Sequence, residues 1–214
     1  MTDHTRSLDT LTHALLDAAA KAGADASDAI AVDGSSIEID VRGGTLEHAE
    51  RSEGVDIGLR VLVGRRVAVV SSSDVRPETL TTMAERAVTM AREAPEDPYA
   101  GLADADQLAA QRDAGALELS DPSAEPSPAE LQEDARAAEA AALAVPGIGQ
   151  VQSASAGYGR RRMHLAASNG FSGGYTRTSR SLSCVAIAGD GLTMERDYDG
   201  DSRVFQSDLR PAVD

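Results

Sequence analysis

From Ser7 to Ala22, apolar side chains fall at Leu8, Leu11, Leu15, Ala18, Ala19 and Ala22. That spacing gathers them on one face of an α-helix. Gly23 follows as a residue able to close the helix in the left-handed conformation. From Ser35 the period shortens to two. Ile37, Ile39 and Val41 alternate with Glu38, Asp40 and Arg42, predicting a strand over Ser35–Arg42 with one dry and one wet face. Gly43-Gly44 predicts a tight hairpin turn, and Thr45–Ser52 the return strand. Alternation resumes through Val55, Ile57, Leu59, Val61 and Val63. Gly64-Arg65 suits another two-residue turn leading into Arg66–Ser72.

The helical period returns over Pro77–Glu93, where Leu80, Met83, Ala84, Ala87, Val88 and Ala91 form the stripe. Pro77 fits the first helical position, although Arg76 is a poor cap. Residues 94–126 change character. Pro95, Pro98, Pro122 and Pro126 punctuate a stretch rich in Ala, Asp and Glu, which predicts a long connection with a short helix near Asp104–Arg112. Ser127-Pro128-Ala129-Glu130 then carries the pattern of a capping box and predicts a helix to about Ala144. Strands follow at about Gly149–Ala156, Arg161–Ala167, Tyr175–Ala188 and Leu192–Tyr198. Turns are expected at Ser168-Asn169-Gly170 and Gly189-Asp190-Gly191. The pattern divides the chain into halves, 1–93 and 127–214, around the 94–126 connection. Each half runs helix first and then about four antiparallel strands, so the fold class is α+β with antiparallel or mixed sheets, flanking helices and a duplicated topology.

Composition sharpens this picture. The chain has 214 residues, enough for a substantial core, but aromatic residues make up only 3% and Trp is absent, so aliphatic side chains must build it. The net charge of −15 repels phosphate backbones and argues against nucleic acid as a direct partner. Arg160-Arg161-Arg162, the one dense basic spot, fits a solvated strand end better than a nucleic-acid footprint. Cys184 is the sole cysteine, so no intrachain disulfide can form, which fits a reducing compartment. The start MTDHTRSLDT lacks the features of a signal peptide, and no apolar run is long enough to span a membrane. A soluble, cytoplasmic protein is the expectation.

Little of the usual chemistry is present. His4, His13, His48 and His164 are too far apart in sequence to form the paired histidines of a zinc-peptidase helix. The Gly147 and Gly157 pairs lack the third glycine of a dinucleotide loop. Lys21 is the single lysine, which disfavours Schiff-base and phosphate-loop chemistry. Cys184 sits in an apolar strand, where a buried thiol acts as a small hydrophobe. The densest cluster is Met194–Arg203, reading MERDYDGDSR. Asp197, Asp199 and Asp201 match the first ligand positions of a calcium loop, but Gly200 and Asp208 fall where that loop does not place them. A strand alternating through Leu192, Met194, Arg196 and Tyr198, ending in a turn at Asp199-Gly200, accounts for the cluster without a metal.

Several stretches share a likeness. Ser181–Tyr198 (SLSCVAIAGDGLTMERDY), Ser71–Asp74 (SSSD), Ala91–Asp104 (AREAPEDPYAGLAD), Ser168–Phe171 (SNGF) and Ser207–Leu209 (SDL) occur in an order that resembles the PmbA/TldE branch of the TldD/TldE metalloprotease family. The resemblance implies a two-subunit cytoplasmic enzyme that trims peptide precursors and degrades small unfolded proteins. In it a TldD-like partner carries zinc through an HExxxH motif, and the TldE-like subunit holds no cofactor. The older label, modulator of DNA gyrase, describes an indirect role. Family chains are about twice this long, and this one stops at Pro211–Asp214, so it resembles their N-terminal domain alone.

Three functions follow as expectations. The first is a non-catalytic subunit domain that meets a TldD-like partner and peptide substrates. The second is an independent hydrolase using Cys184 or the acidic stretch. The third is a stand-alone module binding peptides or proteins at a sheet edge. Arg196, Asp197, Tyr198 and Asn169 are the candidates for partner or peptide contact. No residue is assigned to catalysis or metal binding. The acidic surface should favour basic or neutral peptide segments and bind them less well in salt.

Overall fold

The structure, a computed structural model, describes residues 7–210. His4 and the Pro211–Asp214 end lie outside the described residues. The described chain holds three α-helices and six strands: α1 (Leu8–Ala22), β1 (Ala26–Arg42), β2 (Thr45–Val63), β3 (Arg66–Ser72), α2 (Pro77–Glu93), α3 (Pro128–Leu143), β4 (Ile148–Ala167), β5 (Ser172–Ala188) and β6 (Glu195–Arg203). One curled antiparallel sheet takes the order β3-β2-β1-β4-β5-β6, and the class is α+β. Each half supplies a helix followed by three consecutive strands, with the first strands, β1 and β4, as neighbours. α2 follows the first set.

The halves therefore hold three strands each, where alternation suggested about four. Thr45–Ser52 and Val55–Val63 are one strand, β2, whose Thr45–Gly54 part is exposed on both faces. A strand wetted on both sides carries no alternation to read. Gly149–Ala156 and Arg161–Ala167 are likewise one strand, β4. Gly157 and Gly159 do not break it. A β-carbon on Gly157 would lie 2.6 Å from Ser181 Oγ, and one on Gly159 would lie 2.9 Å from Ser179 Oγ, so the glycines let β5 side chains lie across the strand. Arg160–Arg162 consequently sits inside a strand, with Arg162 ion-paired to Asp33.

Helix ends follow the local sequence. Gly23 closes α1 at φ +95°. Ser127 and Glu130 form the capping box of α3. Arg76 caps α2 without its side chain, and Asp74 takes over. Its carboxylate accepts from the Arg76 N–H and the Thr79 hydroxyl and pairs with the Arg76 guanidinium, which holds it far below the usual carboxylate range. The helix expected near Asp104–Arg112 is a single 3₁₀ turn, Ala105–Gln107, boxed by Asp104 and Gln107.

The chain forms two compact units. The first comprises the described part of Met1–Gly34 with Gly54–Leu117 and Arg162–Thr176. The second comprises Ser35–Glu53, Glu118–Arg161 and the described part of Arg177–Asp214. In the first, α1 and α2 bury Leu11, Leu15, Leu80, Met83 and Val88 against Ile57, Leu59 and Val61. In the second, α3 lies on the sheet through Leu131, Ala135 and Ala138. These meet Ile37, Ile39, Val41, Val151, Ala154, Ala156 and Tyr158.

Candidate functional site

The MERDYDGDSR stretch is the place to begin, because β6 is an edge strand of the sheet. It pairs with β5 from Ala188↔Glu195 to Arg180↔Arg203. The strand runs straight through Asp199-Gly200, where a turn was expected. Gly200 lies opposite Ser183, and a β-carbon on it would approach Ser183 Cβ to 3.0 Å, so here the glycine serves strand packing. The residues before β6, Gly191–Thr193, form a 3₁₀ turn, so Leu192 is outside the strand.

The three aspartates have a backbone task. Asp197 Oδ1 accepts from the Tyr198 N–H at 2.9 Å, Asp199 Oδ1 from Gly200 at 2.9 Å, and Asp201 Oδ1 from Ser202 at 3.0 Å. These N–H groups point away from β5, since the ladder would otherwise take them. On the same edge the Gly200 carbonyl accepts from Arg210, whose guanidinium also reaches Asp199 at 3.1 Å. Arg210 holds the Asp199 carboxyl below the usual range. Alternate acids thus cover the outward donors of an edge strand, one way of discouraging unwanted strand pairing. None of them is paired with a second carboxylate as a proton donor would be.

Arg196 and Tyr198 lie on the opposite face from these acids. They stand across from Ile187 and Val185, and the Arg196 guanidinium reaches Gln152 Oε1 at 3.5 Å. Tyr198 is 78% exposed, so its ring is presented to solvent. Asn169 belongs to the other unit. Its amide donates to the Ala103 carbonyl and accepts from the Phe171 N–H, tying the connection to the β4–β5 turn. Of the four contact candidates, three are therefore adjacent on β6 and one lies in a separate unit.

Cys184 is half-buried on the α3 face of β5. Burial, with Glu139 nearby, pushes its thiol above the ordinary range, which disfavours the thiolate a nucleophile needs. Glu139 is itself a residue the sequence did not single out. It projects from α3, is 3% exposed, and accepts from the N–H groups of Gly43 at 2.6 Å and Gly44 at 2.7 Å.

A second unforeseen centre surrounds His164. Thr12, fully buried on α1, donates its hydroxyl to the Asp9 carbonyl, so it accepts from His164 Nδ1–H at 2.8 Å. That tautomer leaves Nε2 to accept from the Ser172 hydroxyl at 3.3 Å. The His13 ring lies 6.0 Å away. Burial, and secondarily His13, lower the His164 pKa, while Asp9 opposes them. A base whose folded pKa is depressed gives stability that is complete above its unfolded value of 6.5 and declines as pH falls below it. Acid should therefore loosen α1 from β4. Thermal unfolding at pH 8 and pH 5.5 would check this, with a smaller acid loss expected in His164→Asn than in the native chain.

A metallopeptidase zinc needs several His, Asp or Glu donors converging with lone pairs free. Among the described residues no three such side chains converge. Both nitrogens of His164 are engaged, and His13 Nδ1 bonds the Asp9 carbonyl. Among the described residues, the donor set does not fit the metal.

Comparison with known proteins decides the family. Residues 27–91 match PmbA/TldA metallopeptidase domain 1, and residues 121–212 match the PmbA/TldA metallopeptidase central domain. The chain belongs to the PmbA/TldA metallopeptidase family. Metalloprotease PmbA of Escherichia coli O157:H7 is 36% identical over 163 residues, covering 76% of this chain and 36% of the relative. A crystal structure described as a modulator of DNA gyrase, from Bacteroides thetaiotaomicron, superposes with a TM-score of 0.84 at 24% identity. It covers 94% of this chain and 46% of its own. TldE from Thermococcus kodakarensis superposes with a TM-score of 0.74 at 17% identity, over 92% of this chain and 43% of its own. At these identities the two structures show the fold alone. The PmbA/TldA chain described here spans about a third of the curated relative's length and less than half of either structure's. Among its described residues no helix is long and apolar enough to cross a membrane.

Proposed function

We propose that this chain contributes the first and central domains of a PmbA/TldE-type subunit in a two-subunit cytoplasmic metalloprotease. That enzyme processes peptides and degrades small unfolded proteins. In this reading the TldD-like partner carries the zinc, and this chain shapes the approach to it. The observation that carries the reading is the match to both family domains in order, joined to the likeness to metalloprotease PmbA. The donor geometry around His13 and His164 supports a subunit that holds no metal, and the net charge of −15 supports peptide over nucleic acid as the ligand.

A second reading is a stand-alone peptide- or protein-binding module. It is favoured by the solvent-facing pair Arg196 and Tyr198 beside Val185 and Ile187. Metal analysis and a peptide-cleavage assay separate the readings when run on the chain alone and with a TldD-like subunit. The subunit reading expects no stoichiometric zinc and no cleavage by the chain alone, together with co-purification of the pair. One tightly bound zinc with chelator-sensitive cleavage by this chain alone would overturn it. Peptide binding without any affinity for the TldD-like subunit would establish the module instead.

A further inference from the structure

β2 has strands on both sides for only part of its length. Its ladder with β3 runs from Val63↔Arg66 back to Ile57↔Ser72 and stops there. β1 is its other neighbour in the sheet, so the segment Thr45–Glu53 is paired on one side and is an edge on the other. An edge leaves every second N–H and C=O pointing outward. β6 covers such donors with its own aspartates. Among the described residues, no side chain or loop does this for Leu46–Glu53, and no proline interrupts it. Every residue of the segment is exposed, so neither of its faces rests on a core.

The side chains narrow what this edge accepts. Leu46 and Ala49 are the only apolar residues from Thr45 to Glu53, whereas a permanent subunit interface is more apolar than ordinary surface. The segment suits a ligand that comes and goes. Glu47, Glu50 and Glu53 outnumber Arg51. Glu50 meets only His48, at 3.5 Å, while Glu47 and Glu53 pair with Arg42 and Arg51 in solvent, where such pairs are weak enough to exchange. Like charge disfavours an acidic guest, and a second copy brings its own net charge of −15.

We infer that the free edge of β2 over Thr45–Glu53 pairs with extended peptide segments that carry lysine or arginine. The guest's main chain takes the outward N–H and C=O groups, and its cationic side chains reach the glutamates. Main-chain pairing asks only that the guest be unfolded. The glutamates add the preference for basic residues. The assignment rests on the peptide-processing reading above and gives that peptide a place on this chain.

Fluorescence anisotropy of the 214-residue chain with a labelled octapeptide of alternating lysine and threonine tests this, with amide exchange to locate the peptide. The native chain is expected to bind it, with exchange slowed within Thr45–Glu53. N-methylating every amide of the peptide keeps its charge, removes its donors and should abolish binding. Glutamate in place of its lysines should weaken binding at least about tenfold. In the chain, Glu47→Lys with Glu50→Lys should raise the dissociation constant at least about fivefold. Glu85→Lys with Glu93→Lys, an equal charge change at exposed positions of α2, should leave it within about twofold. Circular dichroism shows whether the variants fold; if they do not, the peptide arms alone decide. No binding by the native chain, binding without slowed exchange in Thr45–Glu53, binding that survives N-methylation, or equal losses in the two double variants overturns the proposal. So does exchange slowed there by rising chain concentration or by a TldD-like subunit but not by the peptide, which would give the edge to a second copy or to that subunit. Zinc content and cleavage by the reconstituted pair are read separately, so failure at the edge is distinct from failure of the subunit reading.

Discussion

Replacing Glu139 by alanine is expected to lower the unfolding free energy by about 2–3 kcal/mol. The carboxylate is 3% exposed and takes the N–H groups of Gly43 and Gly44, one on each oxygen. Those glycines have φ +59° and +71°, the type I′ turn that joins β1 to β2. In this turn both N–H groups point outward with no strand partner, and α3 provides one. Arg136, on the same helix, donates to the Gly44 carbonyl at 3.1 Å. Truncation at Glu139 removes two charge-assisted hydrogen bonds and leaves a small void beside Ala138. Glu139→Gln keeps one acceptor but turns an NH₂ group toward the other N–H, so it should recover only part of the loss. Urea unfolding measures the energies, and amide exchange at Gly43 and Gly44 localises them. An alanine variant within about 0.5 kcal/mol of the native chain, with unchanged exchange at the turn, would refute the clamp.

Gly174→Ala should be at least as damaging, by about 3 kcal/mol or more. Gly174 lies on β5, and a β-carbon there would sit 2.3 Å from the Met163 carbonyl oxygen and 3.1 Å from His164 Cα. Both obstacles are backbone, so neither can rotate aside. The sheet would have to separate at β4 and β5, next to the His164–Ser172 hydrogen bond. Gly54→Ala is the control. Its β-carbon would meet nothing within 4 Å and its φ is not positive, so a change within about 0.5 kcal/mol is expected. Equal stability of the two variants in thermal or urea unfolding would show that the β4–β5 contact is softer than its geometry implies.

These two residues mark the limit of what the chain displays locally. The stripe Leu80, Met83, Ala84, Ala87, Val88 and Ala91 is buried in full, because a helix covered on one face must repeat its apolar positions with the helical period. α1 follows the same rule, except that Thr12 is buried among its leucines to hold His164. The capping box at Ser127 and Glu130 and the turns at Gly43-Gly44 and Gly64-Arg65 are also local. Each depends on residues no more than three apart. The strand count was not legible. Glycines at 157, 159 and 200 read as interruptions until the neighbouring strand shows why a side chain is absent.

For the candidate site the division is sharper. Spacing was enough to exclude a calcium loop in MERDYDGDSR. It could not show that Asp197, Asp199 and Asp201 cover an edge, because that requires knowing which N–H groups β5 leaves over. Cys184 was recognisable as a small apolar residue from its strand alone. By itself, then, the sequence determined the three α-helices, the hairpin turns of the first half, the α+β class and the family. Tertiary structure alone decided which strands run on through glycine, which edge is covered, and what Glu139 and His164 hold. Those partners are 96 and 152 residues away along the chain. Contacts of that range impose no period or spacing on the residues around them, so only the folded backbone brings them into view.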